Sequence, residues 1–338
     1  IRKSLDNTEN PKLFASECKF VDDKVLLVGE EKISSSAILI AAGTRPRIPN
    51  IKGLNTTNYV TSDEALRLRE QPKVLTIIGG GYIAAELGHF FGSLGTKINI
   101  IHHGSYLLPK EDEEISKKFT EVFSKKYNLY LERSPDLVTK KNGKFVVSFK
   151  GSDANNYSEI ESDQLLIAAG RVPNSDSLDL PKTGVEVSDD GYIKVDGTLT
   201  TKIDGIFALG DIIGRHQFRH SANLEAQYAF YNIVNSKKKI QVDYSAMPHA
   251  IFSSPQVAGV GYKEQELKAS GKMDYRKSIY RYIDTAMGKA LEDKDGFVKI
   301  LVSKKDRKIL GCHIIGSQAS ILIHEVLVAI KSGDGTID

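Results

Sequence analysis

Residues 79–86, Gly-Gly-Gly-Tyr-Ile-Ala-Ala-Glu, carry the spacing G-x-G-x-x-A directly after an apolar run, Val74-Leu75-Thr76-Ile77-Ile78. The run reads as a strand and the residues from Tyr82 as a helix, so the glycines make the turn between them. Gly79 permits the tight turn, Gly81 lets a pyrophosphate approach the backbone, and Ala84 lets helix pack on strand. A diphosphate would rest on the helix N-terminus, where unpaired N–H groups and the helix dipole favour negative charge. The pattern points to a dinucleotide site.

A second chemical feature is Gly205-Ile206-Phe207-Ala208-Leu209-Gly210-Asp211. A strand ending in Gly-Asp puts a carboxylate at the carboxyl edge of a sheet, where it can accept hydrogen bonds from polyol hydroxyls. Other polar residues promise less. His216 and His220 are four apart but have no Cys or Asp ligand nearby, so no metal is expected. His249 is expected to pack or to bond backbone. The runs Glu111-Asp112-Glu113-Glu114 and Lys237-Lys238-Lys239 read as solvated loop or helix ends. Cys18 and Cys312 lie near opposite ends of the chain, which is neither a disulfide framework nor a metal-ligand pattern.

The elements that must hold these residues alternate in the α/β manner. Strands are expected at Lys12–Cys18 and Phe20–Val28, then a buried run at Ala37–Ala42. A short helix at Asp63–Arg69 leads to the glycine turn. The helix Tyr82–Leu94 has an inward stripe of Ile83, Leu87, Phe90, Phe91 and Leu94, and Gly95 closes it. Further strands are expected at Lys97–Ile101 and Leu129–Glu132 around a helix at Glu113–Tyr127. A hairpin (Lys144–Phe149 with Tyr157–Ile160) and a buried run at Gln164–Ala169 complete that unit. Ile193–Val195 and Gly205–Leu209 read as strands and Glu225–Val234 as a helix. Beyond residue 243 strands at 251–252, 278–283, 297–302 and 309–315 with a helix at 320–330 read as a separate α+β domain. Few polar groups converge in its pattern, so it is expected to serve as an interface.

Two segments echo each other: Ile38-Leu39-Ile40-Ala41-Ala42-Gly43-Thr44-Arg45-Pro46 and Leu165-Leu166-Ile167-Ala168-Ala169-Gly170-Arg171-Val172-Pro173. They bracket the glycine turn and read as crossovers between two nucleotide-binding modules, one inserted in the other. Their small residues, Ala42, Gly43 and Gly170 among them, would let the chain pass close to a bound nucleotide. With 46 basic and 43 acidic residues in 338, a net charge of +3 gives no field for nucleic acid or an acidic membrane. No stretch approaches the roughly 20 apolar residues of a membrane span, and no leader peptide is recognisable, so a cytoplasmic protein is expected.

Taken together these motifs resemble the flavin-dependent pyridine nucleotide–disulfide oxidoreductases, a family that includes dihydrolipoamide dehydrogenase, glutathione reductase and mycothione reductase. The resemblance also rests on Ala168–Asn174, on His249–Gly261 and on Ile309–Gly316. It implies two Rossmann-like nucleotide-binding domains, the NAD(P) domain inserted in the FAD domain, and a C-terminal α+β dimerisation domain. The ranges would be 1–46 and 173–243 for FAD, 47–172 for NAD(P), and 244–338 for a homodimer interface. The implied cofactors are FAD and NAD(P), and the implied reaction passes electrons from NAD(P)H through FAD and a cysteine pair to a small-molecule or protein-bound disulfide. Asp211, beside Gly210, would bind the flavin ribityl chain. Phe218, Arg219 and His220, opening a helix, would lie at the flavin pyrimidine edge. Tyr82, next to Ile83, sits where some relatives have a tyrosine that shields the flavin and moves for nicotinamide. Glu86 matches a carboxylate near flavin and nicotinamide.

The sequence departs from that family at three places: the first FAD glycine motif, the Cys-x-x-x-x-Cys pair and the C-terminal His…Glu pair are not found in it. A fragment of a longer polypeptide is expected, inactive by itself. A flavoprotein NAD(P)H oxidase or transhydrogenase without a redox disulfide, and a non-catalytic nucleotide-binding module, remain open. For the nicotinamide cofactor, NAD-preferring folds carry an acid about 20 residues past the glycines. Here that place holds Ile101-His102-His103-Gly104-Ser105. His102, His103 and Ser105, with Lys110 nearby, could donate to a 2′-phosphate, which favours NADPH over NADH.

Overall fold

The computed structural model describes residues 10–150, 157–271 and 273–337. The chain is mixed α/β and divides into two compact units. One comprises 1–45 with 171–243, the other 46–170 with 244–338.

In the first unit, Cys18–Asp22, Val25–Val28 and Glu31–Ser34 form an antiparallel meander. The expected strand at Lys12–Cys18 is irregular chain instead, and the third strand of the meander was not anticipated. Ile38–Ile40 pairs in parallel with Ile206–Ala208. Only Ile38 and Ile40 of the expected buried run are buried. Leu39, on the opposite face of the strand, is 40% exposed, and Ala41 and Ala42, past the end of the strand, are exposed. Ile193–Val195 forms no strand, only an isolated bridge between Ile193 and Val187. The helix Arg219–Val234 starts six residues earlier than its apolar pattern shows.

The second unit holds a four-stranded parallel sheet, ordered Gln164–Ile167, Val74–Ile78, Lys97–His102, Asn128–Leu131. This is the doubly wound arrangement that apolar runs alternating with helices require. The helix Tyr82–Ser93 buries Leu87 and Phe91 of the expected stripe, with Ile83 half-buried, and adds Ala84, Ala85 and Gly88; Phe90 is 45% and Leu94 57% exposed instead. Small residues join that face because the helix lies close on the sheet. A Cβ on Gly88 would touch Ile77, Ile100 and Ile98 at 3.5–3.8 Å. The helix Glu113–Ser124 buries Ile115, Phe119, Val122 and Phe123. A three-stranded antiparallel sheet of Pro135–Lys141, Lys144–Lys150 and Tyr157–Ser162 adds one strand to the expected hairpin.

The C-terminal part of this unit is a five-stranded antiparallel sheet, ordered Pro248–Ile251, Gln256–Gly261, Ile309–Gly316, Phe297–Ser303, Tyr275–Arg281. Side chains opposite one another across such strands share a face. Ala258, Val260, Cys312 and Ile314 pack on the helix Ala319–Ser332 through Ala319 and Ile323. The other face carries the row Ile251–Val257–Ile315–Phe297, which joins the hydrophobic core of the parallel sheet with Ile115, Phe119 and Phe123. The expected separate domain therefore shares a core with the dinucleotide-type fold.

Candidate functional site

The glycine turn shows which glycines the fold needs. Gly79 has φ +124°, and a Cβ there would lie 2.1 Å from the Ala168 carbonyl oxygen. A Cβ on Gly80 would strike the His102 ring at 2.5 Å. Gly81 is different: its φ is −87° and a Cβ would meet nothing within 4 Å. Nothing in the fold demands glycine there, and the space over its backbone is open. Gly81 is also the N-cap of the Tyr82–Ser93 helix and offers no side-chain cap to the first-turn N–H groups. The second echo segment runs beside this turn, with the Ala168 N–H donating to Ile78 O at 2.8 Å. Gly170, at φ +110°, is exposed where that segment ends. Ile83 is half-buried against the core below.

His102 and His103 end the second strand of the parallel sheet but stand in unlike surroundings. His102 is 4% exposed, and its ring nitrogens are buried without a hydrogen bond of normal geometry. Burial first, then the nearby His103, pushes its pKa down, so it is a neutral ring that fills space under Gly80. His103 is exposed, its ring 4.6 Å from that of His102. Of the two, only His103 stands in solvent as a donor.

In the first unit, the echo segment Ala41–Pro46 meets Arg171–Asp176. The Arg171 Nε–H donates to Thr44 Oγ1 at 2.6 Å, and the Thr44 hydroxyl donates to Asp211 Oδ2 at 3.1 Å. Arg45 forms a bidentate pair with Asp176 at 2.9 and 2.6 Å. Asn174 binds Ala42 O through Nδ2 and Gly43 O through its backbone N–H. Asp211 is thus fixed at the carboxyl end of Ile206–Ala208, half-exposed, with Gly210 buried beside it. The Gly210 N–H donates to the fully buried Glu225 at 2.6 Å, a carboxylate that sequence reasoning passed over. Phe218 is the N-cap of the Arg219–Val234 helix, with the Phe218 and His220 rings stacked at 5.5 Å and Arg219 exposed.

The largest departure from expectation lies in the second unit. The acidic run at 111–114 is only partly the solvated end expected: Glu113 is exposed, but Glu111 is 1% and Asp112 0% exposed. Opposite them the C-terminal sheet presents a second row, His249–Gly259–His313–Lys299, each member cross-strand from the next. Lys299 is 1% exposed and donates to Asp112 at 2.8 and 2.9 Å and to Glu264 at 2.7 Å; it also lies 2.6 Å from Glu114. Lys268 and Lys277 add a cation each to Glu264, at 2.9 and 3.3 Å. Asp112 is also the N-cap of the Glu113–Ser124 helix, accepting from the backbone N–H of Glu114 and of Glu264.

These bonds overcome burial. Burial would raise the Glu264 pKa, yet the hydrogen bonds from Lys299 and Lys268 bring it down to about 2. Asp112 is lowered against burial by Lys299 and by the Glu264 N–H. Burial would likewise lower Lys299, but its three carboxylates raise it. His249, expected to pack or bond backbone, instead pairs its Nε2 with Glu111 Oε2 at 2.7 Å. His313 is fully buried with Nε2 on Tyr262 O at 2.9 Å, and burial pushes its pKa down. The signal in the sequence was a lone polar residue inside each of several apolar strands, Lys299 in Phe297–Ser303 above all.

Tyr82 and Glu86, four apart on one helix face, both reach this region. The Tyr82 hydroxyl donates to Glu111 Oε1, and the Phe252 N–H donates to Glu86 Oε1 at 2.9 Å. Cys312 is buried and its thiol is pushed up to about 12; Cys18 is exposed. Among the described residues no group of three His, Cys, Asp or Glu is arranged to hold a metal ion, and no helix is long and apolar enough to cross a membrane.

Comparison with known proteins agrees with this arrangement. The chain is 36% identical over 307 residues to mycothione reductase of Mycobacterium tuberculosis, covering 90% of this chain and 65% of that protein. It is 33% identical over 331 residues to dihydrolipoyl dehydrogenase of Bacillus subtilis, covering 94% and 67%. The chain thus spans about two thirds of the length of these curated relatives. The solved HOCl-induced flavoprotein disulfide reductase RclA from Escherichia coli matches with a TM-score of 0.82 and 26% identity, over 94% of this chain and 72% of that one. The family model for pyridine nucleotide-disulphide oxidoreductases covers residues 3–227, and the model for their dimerisation domain covers 247–336. The chain therefore belongs to the pyridine nucleotide-disulphide oxidoreductase family.

Proposed function

We propose that this chain supplies the nicotinamide-dinucleotide site, part of the flavin site and the subunit interface of an FAD-dependent NAD(P)H:disulfide oxidoreductase. The observation that carries the reading is Gly81: a glycine the fold does not require, at the open N-terminus of a helix that follows a parallel strand. NAD(P) fits the residues there. Its diphosphate would be held by the Gly79–Gly81 backbone and the first-turn N–H groups at Tyr82 and Ile83, its adenosine end by the His103 and Ser105 side, and its other end beside Tyr82, Glu86 and Gly170. FAD would be held by Asp211 for its ribityl hydroxyls, by Ala42, Gly43 and Gly210 where the backbone allows close approach, and by the Phe218–His220 helix start. The two cofactors supply hydride and electron transfer when bound. Asp211 fits that role because Thr44 orients it.

The residues of this chain act by binding and orienting. No acid follows the second strand, and His103 stands in its place, which favours the 2′-phosphate of NADPH. The disulfide-reducing end of the reaction needs a cysteine pair, and neither Cys18 nor the buried Cys312 has a partner for it. Homodimerisation would use the C-terminal region, where Ile279, Tyr280, Met287, Leu291, Ile321 and Val328 are exposed. Equilibrium binding of NADPH and NADH to the purified protein tests the reading. Micromolar binding that Gly81→Val abolishes supports it. Binding that survives Gly81→Val, or that prefers NADH throughout, removes respectively the site or the cofactor preference.

A further inference from the structure

Glu111 is a buried carboxylate clamped by two donors from different parts of the unit. Its Oε1 accepts the Tyr82 hydroxyl, and its Oε2 accepts His249 Nε2 at 2.7 Å. Its own backbone is fixed as well, the carbonyl accepting from Gln265 Nε2 at 2.8 Å and the N–H donating to Leu108 O at 3.0 Å. The rings of Tyr82 and His249 lie parallel within 5°, with centroids 6.5 Å apart. Burial alone would raise the Glu111 pKa, but the hydrogen bond and charge of His249, and then the Tyr82 hydroxyl, lower it below the ordinary range. Glu111 is therefore ionised, and leaving it without donors would be costly.

The consequence falls on Tyr82. A tyrosine at the first position of the dinucleotide helix could turn about its side-chain torsions and cover the mouth of the turn. Here the hydroxyl is held from the far side by a charged acceptor. The same strand region that holds Glu111 through His249 also holds Glu86 through the Phe252 N–H. Both residues flanking the proposed nicotinamide end are thus oriented from the segment 249–252, a segment that by itself carries no dinucleotide motif.

We propose that Glu111, supported by His249, is a positioning residue for nicotinamide binding: it holds the Tyr82 ring in one orientation, so the ring does not compete with the nicotinamide. This rests on the placement of nicotinamide beside Tyr82 made above. The role is separable from mere structural support because only one end of the dinucleotide should respond.

The test compares two probes on the purified protein: NADPH, and 2′-phospho-ADP-ribose, which lacks the nicotinamide. Glu111→Ala should weaken NADPH about tenfold, the loss of one hydrogen bond to a charged group, and leave 2′-phospho-ADP-ribose within about twofold. Glu111→Gln, which keeps an acceptor for the tyrosine, should restore NADPH binding to within about threefold. In a Tyr82→Ala background, where no ring remains to be held, Glu111→Ala should have no effect on NADPH. Equal weakening of both probes, or a penalty that persists without Tyr82, overturns the positioning role and leaves a structural one. A Glu111→Ala protein that loses its circular dichroism is judged on Glu111→Gln and on the Tyr82→Phe variant, which should weaken NADPH alone. If the unaltered protein binds neither probe, the nicotinamide placement falls, and this inference with it.

Discussion

Replacing Lys299 by methionine should expose how the second unit is held together. Lys299 is buried to 1% exposure and, among the described residues, is the one cation hydrogen-bonded to Asp112. After Lys299→Met, Glu264 keeps Lys268 and Lys277, but Asp112 keeps only backbone N–H donors. A buried charge left without its partner costs about 3–5 kcal/mol. The intact cluster gives a similar scale: a carboxylate ordinarily near 4.5 and held at about 2 contributes about 3 kcal/mol to the folded state. The two figures describe overlapping interactions and do not add.

The pH dependence then separates this mechanism from simple packing loss. In the unaltered protein the Glu264 pKa is below its unfolded value. Its contribution is complete above about 4.5 and is lost as pH falls toward 2. In Lys299→Met the buried Asp112 should titrate above its unfolded value, so that variant gains stability as it takes up a proton on acidification. The deficit should therefore be about 3–5 kcal/mol at pH 7 and should shrink by at least half near pH 4.5. Urea unfolding followed by circular dichroism and tyrosine emission reads it, the chain having no tryptophan. A deficit that is the same at both pH values, or none at pH 7, would refute the argument that Lys299 compensates buried carboxylates.

Other expectations are sharper for being paired. Gly79→Ala, forced to φ +124° against the Ala168 carbonyl, should cost about 1–3 kcal/mol in unfolding experiments. Gly81→Val should unfold like the unaltered protein yet fail to bind dinucleotide in a titration. His103→Gln, which removes the exposed imidazole at the end of the second strand, should lower the ratio of NADPH to NADH affinity in a binding titration at one fixed pH. His102→Asn should instead lower stability, because His102 is a buried neutral ring under Gly80. Thr44→Val, which removes the hydroxyl between Arg171 and Asp211, should weaken FAD retention two- to tenfold in a flavin-release assay.

The parts of this fold that could be read in the sequence are those where one local rule decides. The glycine turn has its strand before it and its helix after it, and the apolar runs Val74–Ile78, Lys97–Ile101 and Gln164–Ile167 became the parallel strands. Misreadings came where a tertiary neighbour decided. The stripe on Tyr82–Ser93 was right at Leu87 and Phe91 but was drawn too wide through Phe90 and Leu94, and it missed the small residues Ala84, Ala85 and Gly88 that lie against the sheet. Ala41 and Ala42 looked buried because they are apolar, but they lie past the end of the strand and are exposed. The acidic run at 111–114 has the composition of a solvated helix start. Only the cross-strand register that aligns His249, His313 and Lys299 makes Glu111 and Asp112 a buried interface, and a register that pairs Gln256–Gly261 with the distant Ile309–Gly316 is not written locally.

That register also gives the C-terminal sheet a role within its own unit. Its inner face carries two neighbouring rows, one apolar and continuous with the core of the parallel sheet, the other polar and matched to Glu111, Asp112 and Glu264. The apolar row supplies burial, which is indifferent to small slides of one surface on another. The polar row tolerates no slide, because a displaced Lys299 or Glu111 would be a buried charge without a partner. The sheet is thereby locked in one position against the dinucleotide-type fold, and segment 249–252 is bonded to Glu86 directly and linked to Tyr82 through Glu111. A change at Lys299 should then be felt at the glycine turn. Lys299→Met should weaken NADPH more than 2′-phospho-ADP-ribose, the outcome expected of Glu111→Ala, and an equal change in the affinity of both probes in that variant would show that the polar row stabilises the unit without orienting its site.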